Sequence, residues 1–410
     1  MNARTLLLIC VGLAAAVSLG VAQESWNITG AGARAEGLGG AFIGLADDAT
    51  AISWNPSGLG QLERTELSLV GRWIQEEFKW ENPVSPQNNS TTTQSHLTYN
   101  FASIAFPLHA GKINIVPAVA FQKQLDRYGR EDDATSSYES NGGASTLTPG
   151  IGLKLHPMFY VGGAVNIWLG NSDNATITNK ATKAGFSNEA TYSGLNFVAG
   201  FLVDFEGMKK PVPIKLGATL KTPFELKVDG SYERKPAGTT TQKGVFVNTV
   251  EMPLMYGFGA SGRLGENLTI AVDFESRLYG DKKIFFETDG NVPSATYRDT
   301  ANLSDSKNDL HQIRVGAEYL LVTTAGVIPI RAGYRTVPTL QADVDAKGEF
   351  SDMVMGNAFS LGTGFISHSF ALDLTYTRGT AKQSYAQTGG DAATNTYTAQ
   401  TVSASLIVYF

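Results

Sequence analysis

The last ten residues of the chain, Thr401–Phe410, read TVSASLIVYF and indicate which kind of fold the sequence encodes. Val402, Ala404 and Leu406 alternate with hydroxyl-bearing residues, so an extended strand would place apolar side chains on one face and polar ones on the other. The chain then ends on an aromatic residue, Phe410. This pattern is typical of a strand with one face against lipid and the other against a polar interior.

The same two-residue period recurs upstream as far as residue 64. Long polar gaps, such as Thr380–Ala399, separate some of these stretches, and tight turns, such as Ser367–His368, separate the others in strict alternation. An even-stranded meander with long connections at one end is the arrangement of outer-membrane barrels. The sequence therefore predicts an all-β fold, a fourteen-stranded antiparallel transmembrane β-barrel. Its strand cores lie near residues 64–78, 95–106, 112–124, 145–155, 159–169, 192–205, 212–227, 249–263, 267–279, 309–322, 327–336, 356–366, 369–379 and 399–410.

Residues 23–62 lack this alternation and are rich in Gly and Ala. Asp47 or Asp48 can cap a short helix there, which Pro56 would end. A fourteen-stranded barrel is too wide for its own side chains to fill, and glycines allow irregular backbone to pack closely. We therefore expect residues 23–62 to form a plug, or hatch, inside the lumen of a barrel formed by residues 63–410.

Three aromatic residues favour a packed plug over a flexible leader, which is the alternative for residues 23–62. They are Trp26, Phe42 and Trp54. If a hydrophobic ligand reaches the plug, these side chains are the candidate ligand contacts.

Residues 1–22 have the pattern of a secretory signal. Arg4 supplies a positive charge, an apolar run follows from Thr5 to Leu19, and small residues precede Gln23. An N-terminal anchor helix is the alternative. Cleavage after Ala22 would remove Cys10, the only cysteine of the chain, so disulfides and thiol chemistry are not expected in the mature protein.

Composition and motifs argue against several other classes of function. A formal charge of -6 and a pI near 5.5 do not suit a nucleic-acid binder. The G-x-G-x-x-G match at residues 257–262 lies inside a predicted strand, where a dinucleotide site would need a strand followed by a helix. Ser95 and His96 are neighbours on a strand and point to opposite faces, so they cannot form a catalytic dyad. We expect neither enzyme activity nor a cofactor or metal.

The N-terminal region resembles a known family. The residues that carry this resemblance are Gly32–Phe42, Ala46–Thr50 and Asn55–Leu59, which together are similar to the hatch of the FadL/OmpP1/TodX family of outer-membrane transporters for hydrophobic compounds. Weaker similarities extend over nearly the whole mature chain, at Ser103–Leu108, Lys215–Phe224 and Pro329–Arg335.

The resemblance implies a location, a mechanism and a set of motif residues. It implies a monomer in the bacterial outer membrane, surrounded by lipid, that takes up long-chain fatty acids or similar apolar molecules. Outer loops would capture the hydrophobic ligand, the hatch would rearrange, and the ligand would leave sideways through the barrel wall near the third strand. Asp47, Asp48, Asn55 and Pro56 match the hatch motif, while Ser57 stands where Ala is usual.

Further residues are candidates for the lateral gate and for ligand binding. Pro117, in the third strand, removes a ladder donor and is the candidate kink of the gate; a harmless kink is the alternative. Lys123, Arg127 and Arg130 are candidate contacts for a carboxylate, although such a charge cluster is usually only solvated. The alternative function is a structural or secretion-associated outer-membrane barrel that docks partner proteins, because relatives of that kind share much of the hatch motif.

Overall fold

The computed structural model describes residues 30–111, 113–132, 134–170, 173–238, 240–290, 297–387 and 390–410. Over these ranges the chain forms one closed antiparallel sheet, in which the first and last strands pair with Leu69 opposite Leu406. The predicted signal peptide and Trp26 lie outside the described residues. The predicted fold class, a fourteen-stranded antiparallel β-barrel, is confirmed.

The wall consists of fourteen strands within the described ranges, four of which are interrupted. They are β1 Glu66–Glu81, β2 Ser90–Ala105, β3 Ile113–Asp126, β4 Gly143–His156, β5 Phe159–Gly170, β6 Gly185–Asp204, β7 Ile214–Lys221 with Phe224–Lys235, β8 Gln242–Met252 with Met255–Leu264, β9 Leu268–Arg277 with Lys283–Gly290, β10 Tyr297–Asn302 with Leu310–Val322, β11 Val327–Val344, β12 Phe350–Ile366, β13 Phe370–Gln387 and β14 Gly390–Tyr409.

The strands extend well beyond their predicted cores. The sequence predicts a polar loop over Thr380–Ala399, whereas β13 continues to Gln387 and β14 begins at Gly390. Outside lipid both faces of a strand can be polar, so the alternation that reveals a membrane strand disappears there, as at Thr394 and Thr396. We call the end of the barrel that carries these extensions the upper end.

The outward surface changes character along β7. Its first segment exposes Leu216 and Leu220, each to more than 40%. Its second segment exposes Lys227, Asp229 and Glu233 instead. On β7 the exposed apolar surface therefore ends near the interruption, as expected of a strand that crosses a lipid layer below this level, whereas on β8 Val245 and Val247 stay exposed above it.

The interruptions of β7 to β10 lie side by side. Lys221 of β7 pairs with Met255 of β8, which pairs with Arg277 of β9, which pairs with Leu310 of β10. The wall therefore changes course at one common height over four neighbouring strands.

Helices are few in the described part of the chain, and none of them is long and apolar enough to span a membrane. Two short α-helices, α1 Ala33–Gly37 and α2 Ala51–Trp54, and a 3-10 helix, Pro56–Gln61, precede β1. Two 3-10 turns, Pro86–Asn88 and Phe205–Gly207, connect strands.

Four short strands complete the sheet. Leu108–Ala110 pairs with the start of β3 at the lower end. At the upper end Gly129–Asp132 pairs with Ser136–Asn141, which pairs with Asp173–Asn179, which in turn pairs with β6. These three upper strands extend the wall above β3, β4 and β5, which end lower down.

Candidate functional site

Residues 30–62, which we call the inner segment, lie inside the barrel. Nearly every described residue of this segment is buried, and its contacts reach opposite parts of the wall. Thr375 of β13 donates a hydrogen bond to Ala33 O at 2.6 Å, while Asn114 of β3 donates one to Leu62 O at 2.8 Å. These contacts place the inner segment across the lumen.

Arg34 is the centre of an ion-pair network between the inner segment and the wall. Its guanidinium meets Glu318 of β10 at 3.1 Å (Nε–Oε2) and 3.0 Å (Nη2–Oε1). It also contacts Asp47 at 2.5 Å. Glu318 in turn accepts a bond from Arg331 at 2.6 Å, and Arg331 pairs with Asp373 at 2.6 Å. The network therefore joins the inner segment to β10, β11 and β13.

Asp48 lies beside this network and holds a turn of the inner segment. Its Oδ1 accepts the backbone N–H of Thr50 at 2.8 Å and the Thr50 hydroxyl at 2.5 Å. Burial raises the pKa of the Asp48 carboxyl, and the Arg34 guanidinium opposes that shift. The predicted acidic pair thus has two uses, because Asp47 binds Arg34 and Asp48 binds backbone.

Two other carboxylates also bind the inner segment to the wall. Glu36 pairs with Arg72 of β1 and accepts a hydrogen bond from Ser403 of β14. Asp273 of β9 accepts the backbone N–H groups of Phe42 and Ile43 at 2.7 and 2.8 Å.

Asn55 is fully buried and satisfies both ends of its amide. Its Nδ2 donates to Ile43 O at 2.9 Å and to Phe201 O of β6 at 3.1 Å, while its Oδ1 accepts the Ser57 hydroxyl at 2.6 Å. Pro56 starts the 3-10 helix and lies against the backbone of Gly162 on β5, where a Cβ atom would approach it to less than 3 Å.

Glycine occurs at the same kind of contact on several other strands. A Cβ at Gly217, Gly259, Gly316 or Gly333 would lie less than 3 Å from backbone atoms of the inner segment. Residues Ile43, Gly44, Leu38 and Gly39 are the ones so approached. The wall and the inner segment therefore fit each other closely at backbone level around the lumen.

Two of the three aromatic residues predicted to contact ligand, Phe42 and Trp54, are part of this packed interior. Phe42 and Trp54 are 0% and 3% exposed and meet edge to face, with ring centroids 6.1 Å apart. Arg34 lies over the Phe42 ring and Arg314 over the Trp54 ring, each at 5.6 Å. In this structure the two side chains pack against protein.

An apolar cavity of about 50 Å³, which we call the chamber, lies at the height of the interrupted strands. Inward-facing side chains of β3, β5, β6, β7, β8 and β9 converge there. The lining residues include Gln124, Leu125, Trp168, Asn196, Lys221, Phe224, Leu226, Met252 and Tyr279. Most of these side chains belong to a larger buried apolar cluster in the upper lumen.

Lys221 brings a positive charge to the chamber wall and stands in a cluster of charged groups. Glu275 of β9 pairs with Arg277 at 2.5 Å and with Arg314 of β10 at 2.9 Å. Lys221 and Asp273 complete the cluster, so the described side chains supply three cations and two carboxylates. Lys221 was not among the predicted site residues; in the sequence it is the second cation, after Lys215, of the strand that ends directly before Thr222 and Pro223.

The wall beside the chamber is incomplete at backbone level. In the described structure β2 and β3 pair over five residues of each strand, Phe101–Ala105 with Ala118–Gln122. At the upper limit of this pairing β2 has a bulge. Gly71 of β1 pairs with Tyr99 and Val70 pairs with Phe101, so Asn100 has no opposite residue on β1. A second register shift lies between Lys123 and Leu125 of β3.

Side chains bridge the strands above this level, and we call the region the β2–β3 seam. Lys123 donates to the Thr98 hydroxyl at 3.1 Å and pairs with Asp126 at 2.6 Å. His96 Nε2 lies 2.9 Å from Asp126 Oδ2, and the His96 ring stacks on Tyr128. The seam shares β3 with the chamber, because Gln124 and Leu125 line the latter.

Pro117 does not interrupt the pairing of β3 with β4, and a gate at this residue stays a prediction. Pro117 pairs with Ile151 of β4 without a register shift, and its carbonyl accepts Phe106 N at 3.1 Å. Pro is tolerated here because the partner of β3 changes at this point, from the end of β2 to the short strand Leu108–Ala110.

The three predicted carboxylate contacts do not converge in the structure. Lys123 lies in the seam and is paired with Asp126. The Arg127 guanidinium contacts the Tyr192 hydroxyl at 3.4 Å, and the backbone of Arg130 donates to Gln94 at 2.9 Å.

The fold and these features define a closed barrel whose lumen holds residues 30–62 of the same chain. The family model for BamG matches residues 32–321. Because this match covers more than half of the chain, the protein belongs to the BamG family. A comparison with curated proteins gives no match.

Solved structures show the same fold at low sequence identity. A Pseudomonas aeruginosa FadL homologue has a TM-score of 0.68 at 12% identity, over 93% of this chain and 98% of that chain. CymD, a monoaromatic hydrocarbon channel, has 0.63 at 13% identity, over 94% and 98%. The Ralstonia pickettii toluene transporter TbuX has 0.60 at 14% identity, over 94% and 100%. The predicted resemblance to FadL and TodX is thus confirmed for the fold, whereas the matching family model carries a different name.

Proposed function

We propose that this protein carries hydrophobic molecules, long-chain fatty acids or similar compounds, across a bacterial outer membrane as a monomer. The observation that carries the proposal is the position of the β2–β3 seam beside an apolar chamber. Leu125 faces the chamber, and the next residue of β3, Asp126, closes the seam through His96. An apolar molecule in the chamber is thus separated from the outside of the wall by side chains rather than by a backbone ladder.

The predicted route enters from the upper end and leaves through the wall. Burial of apolar surface stabilises a ligand in the chamber by about 25 cal/mol per Å². Release through the seam would transfer that ligand into lipid, where the same surface stays away from water. The fold similarity to the toluene transporter TbuX and the hydrocarbon channel CymD supports an apolar cargo.

A carboxylate group on the ligand would suit the charges at the chamber. Lys221 lines the cavity, and cations outnumber carboxylates in the cluster around Glu275. An apolar tail against Phe224 and Leu226 with an acidic head at Lys221 is the arrangement that these residues favour. The chamber must widen to admit such a tail, since its volume is about 50 Å³. We propose that the chamber widens when the hatch rearranges.

Uptake by cells tests this function. Cells that lack their own fatty-acid transporter would be given the protein, and entry of labelled oleate and labelled toluene would be followed. The intact protein should raise both rates. Lys221→Met should lower oleate uptake about tenfold, equivalent to about 1.4 kcal/mol, and leave toluene uptake unchanged. Uptake of neither compound above that of cells without the protein would refute the proposal.

A docking role for partner proteins is the second candidate, and the close fit of the inner segment favours it. Wall glycines such as Gly217 and Gly333 approach the inner segment at backbone level, so large movements of the segment would break many contacts. A barrel that only docks partners needs no such movement. Cells that lack the gene would be given a variant that still takes up ligand but has an altered outer surface. A phenotype of gene loss that persists in these cells would favour docking. Rescue of the phenotype by this variant would exclude docking.

A further inference from the structure

An apolar groove lies on the outward face of the wall, beside the seam. Its volume is about 580 Å³, and its lining residues come from five neighbouring strands, β13, β14, β1, β2 and β3. Neighbouring strands are about 4.8 Å apart, so the groove reaches roughly 20 Å around the barrel. We refer to it as the wall groove.

Small residues form the floor of the wall groove. Gly71 of β1 pairs with Ala404 of β14, and Ala102 of β2 pairs with the preceding outward residue of β1, Leu69. A Cβ at Gly71 would find only one atom within 4 Å, Thr98 O at 3.9 Å, so the space above this glycine is open. The bulge next to Gly71 bends the wall here, as bulges generally do.

Larger apolar side chains form the rim. Leu69, Leu372 and Leu406 are each partly exposed on one side. Tyr99 and Phe121 stack at 5.6 Å on the other side, next to the seam.

The floor of the groove offers an occupant few polar partners, and the ammonium of Lys123 lies at its edge, 5.4 Å from the centre of the Tyr99 ring. The Tyr99 hydroxyl is 2.9 Å from the Ser145 hydroxyl, and the backbone on both sides of Gly71 is paired in the ladders of β1 with β2 and β14. A peptide or a polar ligand would leave its own hydrogen-bonding groups unsatisfied there, at about 1–3 kcal/mol each. A hydrocarbon chain carries no such groups.

We infer that the wall groove binds one acyl chain of a membrane lipid, beside the β2–β3 seam. The groove lies in the apolar part of the outer wall. The exposed residues Leu216 and Leu220 belong to the same apolar surface on another side of the barrel. The inference rests on the proposed placement in a bilayer and is independent of transport.

Photochemical labelling tests the inference. The full-length protein would be reconstituted in phosphatidylcholine vesicles that contain a phospholipid with a diazirine on its acyl chain. After irradiation, labelled peptides would be mapped by mass spectrometry. Labelling near Tyr99, Phe121 and Leu406 should exceed that near Leu216 and Phe258 by several-fold.

Two glycine variants provide the matched comparison. Gly71→Leu fills the floor of the groove and should reduce the labelling there to the level found elsewhere on the wall. Gly163→Leu places the same side chain on β5, where a Cβ has its nearest atom at 3.6 Å, and should leave the groove labelling unchanged.

Each contrary result has a separate meaning. Uniform labelling of the apolar surface, or enriched labelling that survives Gly71→Leu, would overturn the groove assignment alone. Labelling of the groove only by a free diazirine fatty acid, or crosslinks there to a second copy of the chain, would also overturn it. Absence of label from the whole apolar surface would refute the bilayer placement as well.

Discussion

Arg34 of the inner segment and Glu318 of the wall form a two-point ion pair, with Nε–Oε2 at 3.1 Å and Nη2–Oε1 at 3.0 Å. The two residues are 284 positions apart in the sequence. The pair is almost enclosed, with side-chain exposures of 18% and 4%. It therefore couples the start of the described chain to β10, in the last third of the barrel.

Loss of this pair should destabilise the barrel strongly. Arg34→Ala leaves Asp47 and Asp48 without their nearest guanidinium, and breaking a buried pair costs about 3–5 kcal/mol. The urea midpoint of the protein in lipid vesicles measures this loss. As a control, Lys243→Ala removes an exposed pair with Glu233 and should change stability by no more than about 0.5 kcal/mol. Equal midpoints for the two variants would contradict the assignment.

The amide of Asn55 should not be replaceable by a carboxylate. Asn55→Asp keeps the shape but loses both donors, and it places negative charge beside the carbonyls of Ile43 and Phe201. Burying an unsatisfied or repelled group costs about 1–3 kcal/mol, and more when charged. Asn55→Asp should thus unfold at lower urea than Asn55→Ala, measured by intrinsic tryptophan fluorescence. The reverse order would show that the donors do not matter.

The carboxylate of Asp48, in contrast to the amide of Asn55, should be replaceable by its counterpart, an amide. Because burial raises the pKa of its carboxyl, the charged form costs stability at neutral pH, and this cost falls as the pH is lowered towards the raised value. Asp48→Asn mimics the neutral acid and retains an acceptor for Thr50. Its stability at pH 7 should match or exceed that of the native protein, and its gain between pH 7 and pH 5 should be smaller. A clear loss of stability in Asp48→Asn at pH 7 would contradict this prediction.

A single methyl group should reveal how tightly the inner segment fits. Gly259→Ala would place a Cβ less than 3 Å from Gly44 N and from the Asp273 carboxylate, which is expected to cost about 1–3 kcal/mol. Gly262→Ala, on the same strand, meets its nearest atom at 3.6 Å and should be neutral or slightly stabilising. Urea midpoints and protease protection of residues 30–62 would separate the two. Equal behaviour would mean that the inner segment moves freely past β8.

The lower part of the barrel was predictable because a strand with one apolar and one polar face follows a simple rule in sequence. Such strands alternate, as Val402, Ala404 and Leu406 do, and all fourteen predicted cores overlap observed strands, although the cores at 212–227 and 249–263 run across interruptions. The upper extension of β14 does not follow this rule, because polar residues such as Thr394, Asn395 and Thr396 succeed one another there. The sequence therefore placed polar loops where strands continue, as at Thr394 and Thr396.

The candidate site was less predictable, because it depends on contacts between distant strands. The acidic pair and Asn55 stood out through local motifs, yet Glu318, the partner of Arg34, lies in an ordinary alternating strand. Pro117 was visible in the sequence as a missing donor, whereas the seam arises from two register shifts. Register depends on pairing, which alternation alone does not specify.

The opening of the β2–β3 seam is the central claim, and a reversible lock across it is the most direct test. Thr98→Cys and Lys123→Cys together introduce two thiols at side chains that lie 3.1 Å apart in the native protein, and the predicted mature chain has no other cysteine. Treatment with a short, cleavable bis-maleimide should abolish oleate and toluene uptake in the double variant, and cleavage of the linker should restore it. A mono-maleimide, or the linker on either single variant, should have little effect. Undiminished uptake by the fully crosslinked protein would contradict release through the seam.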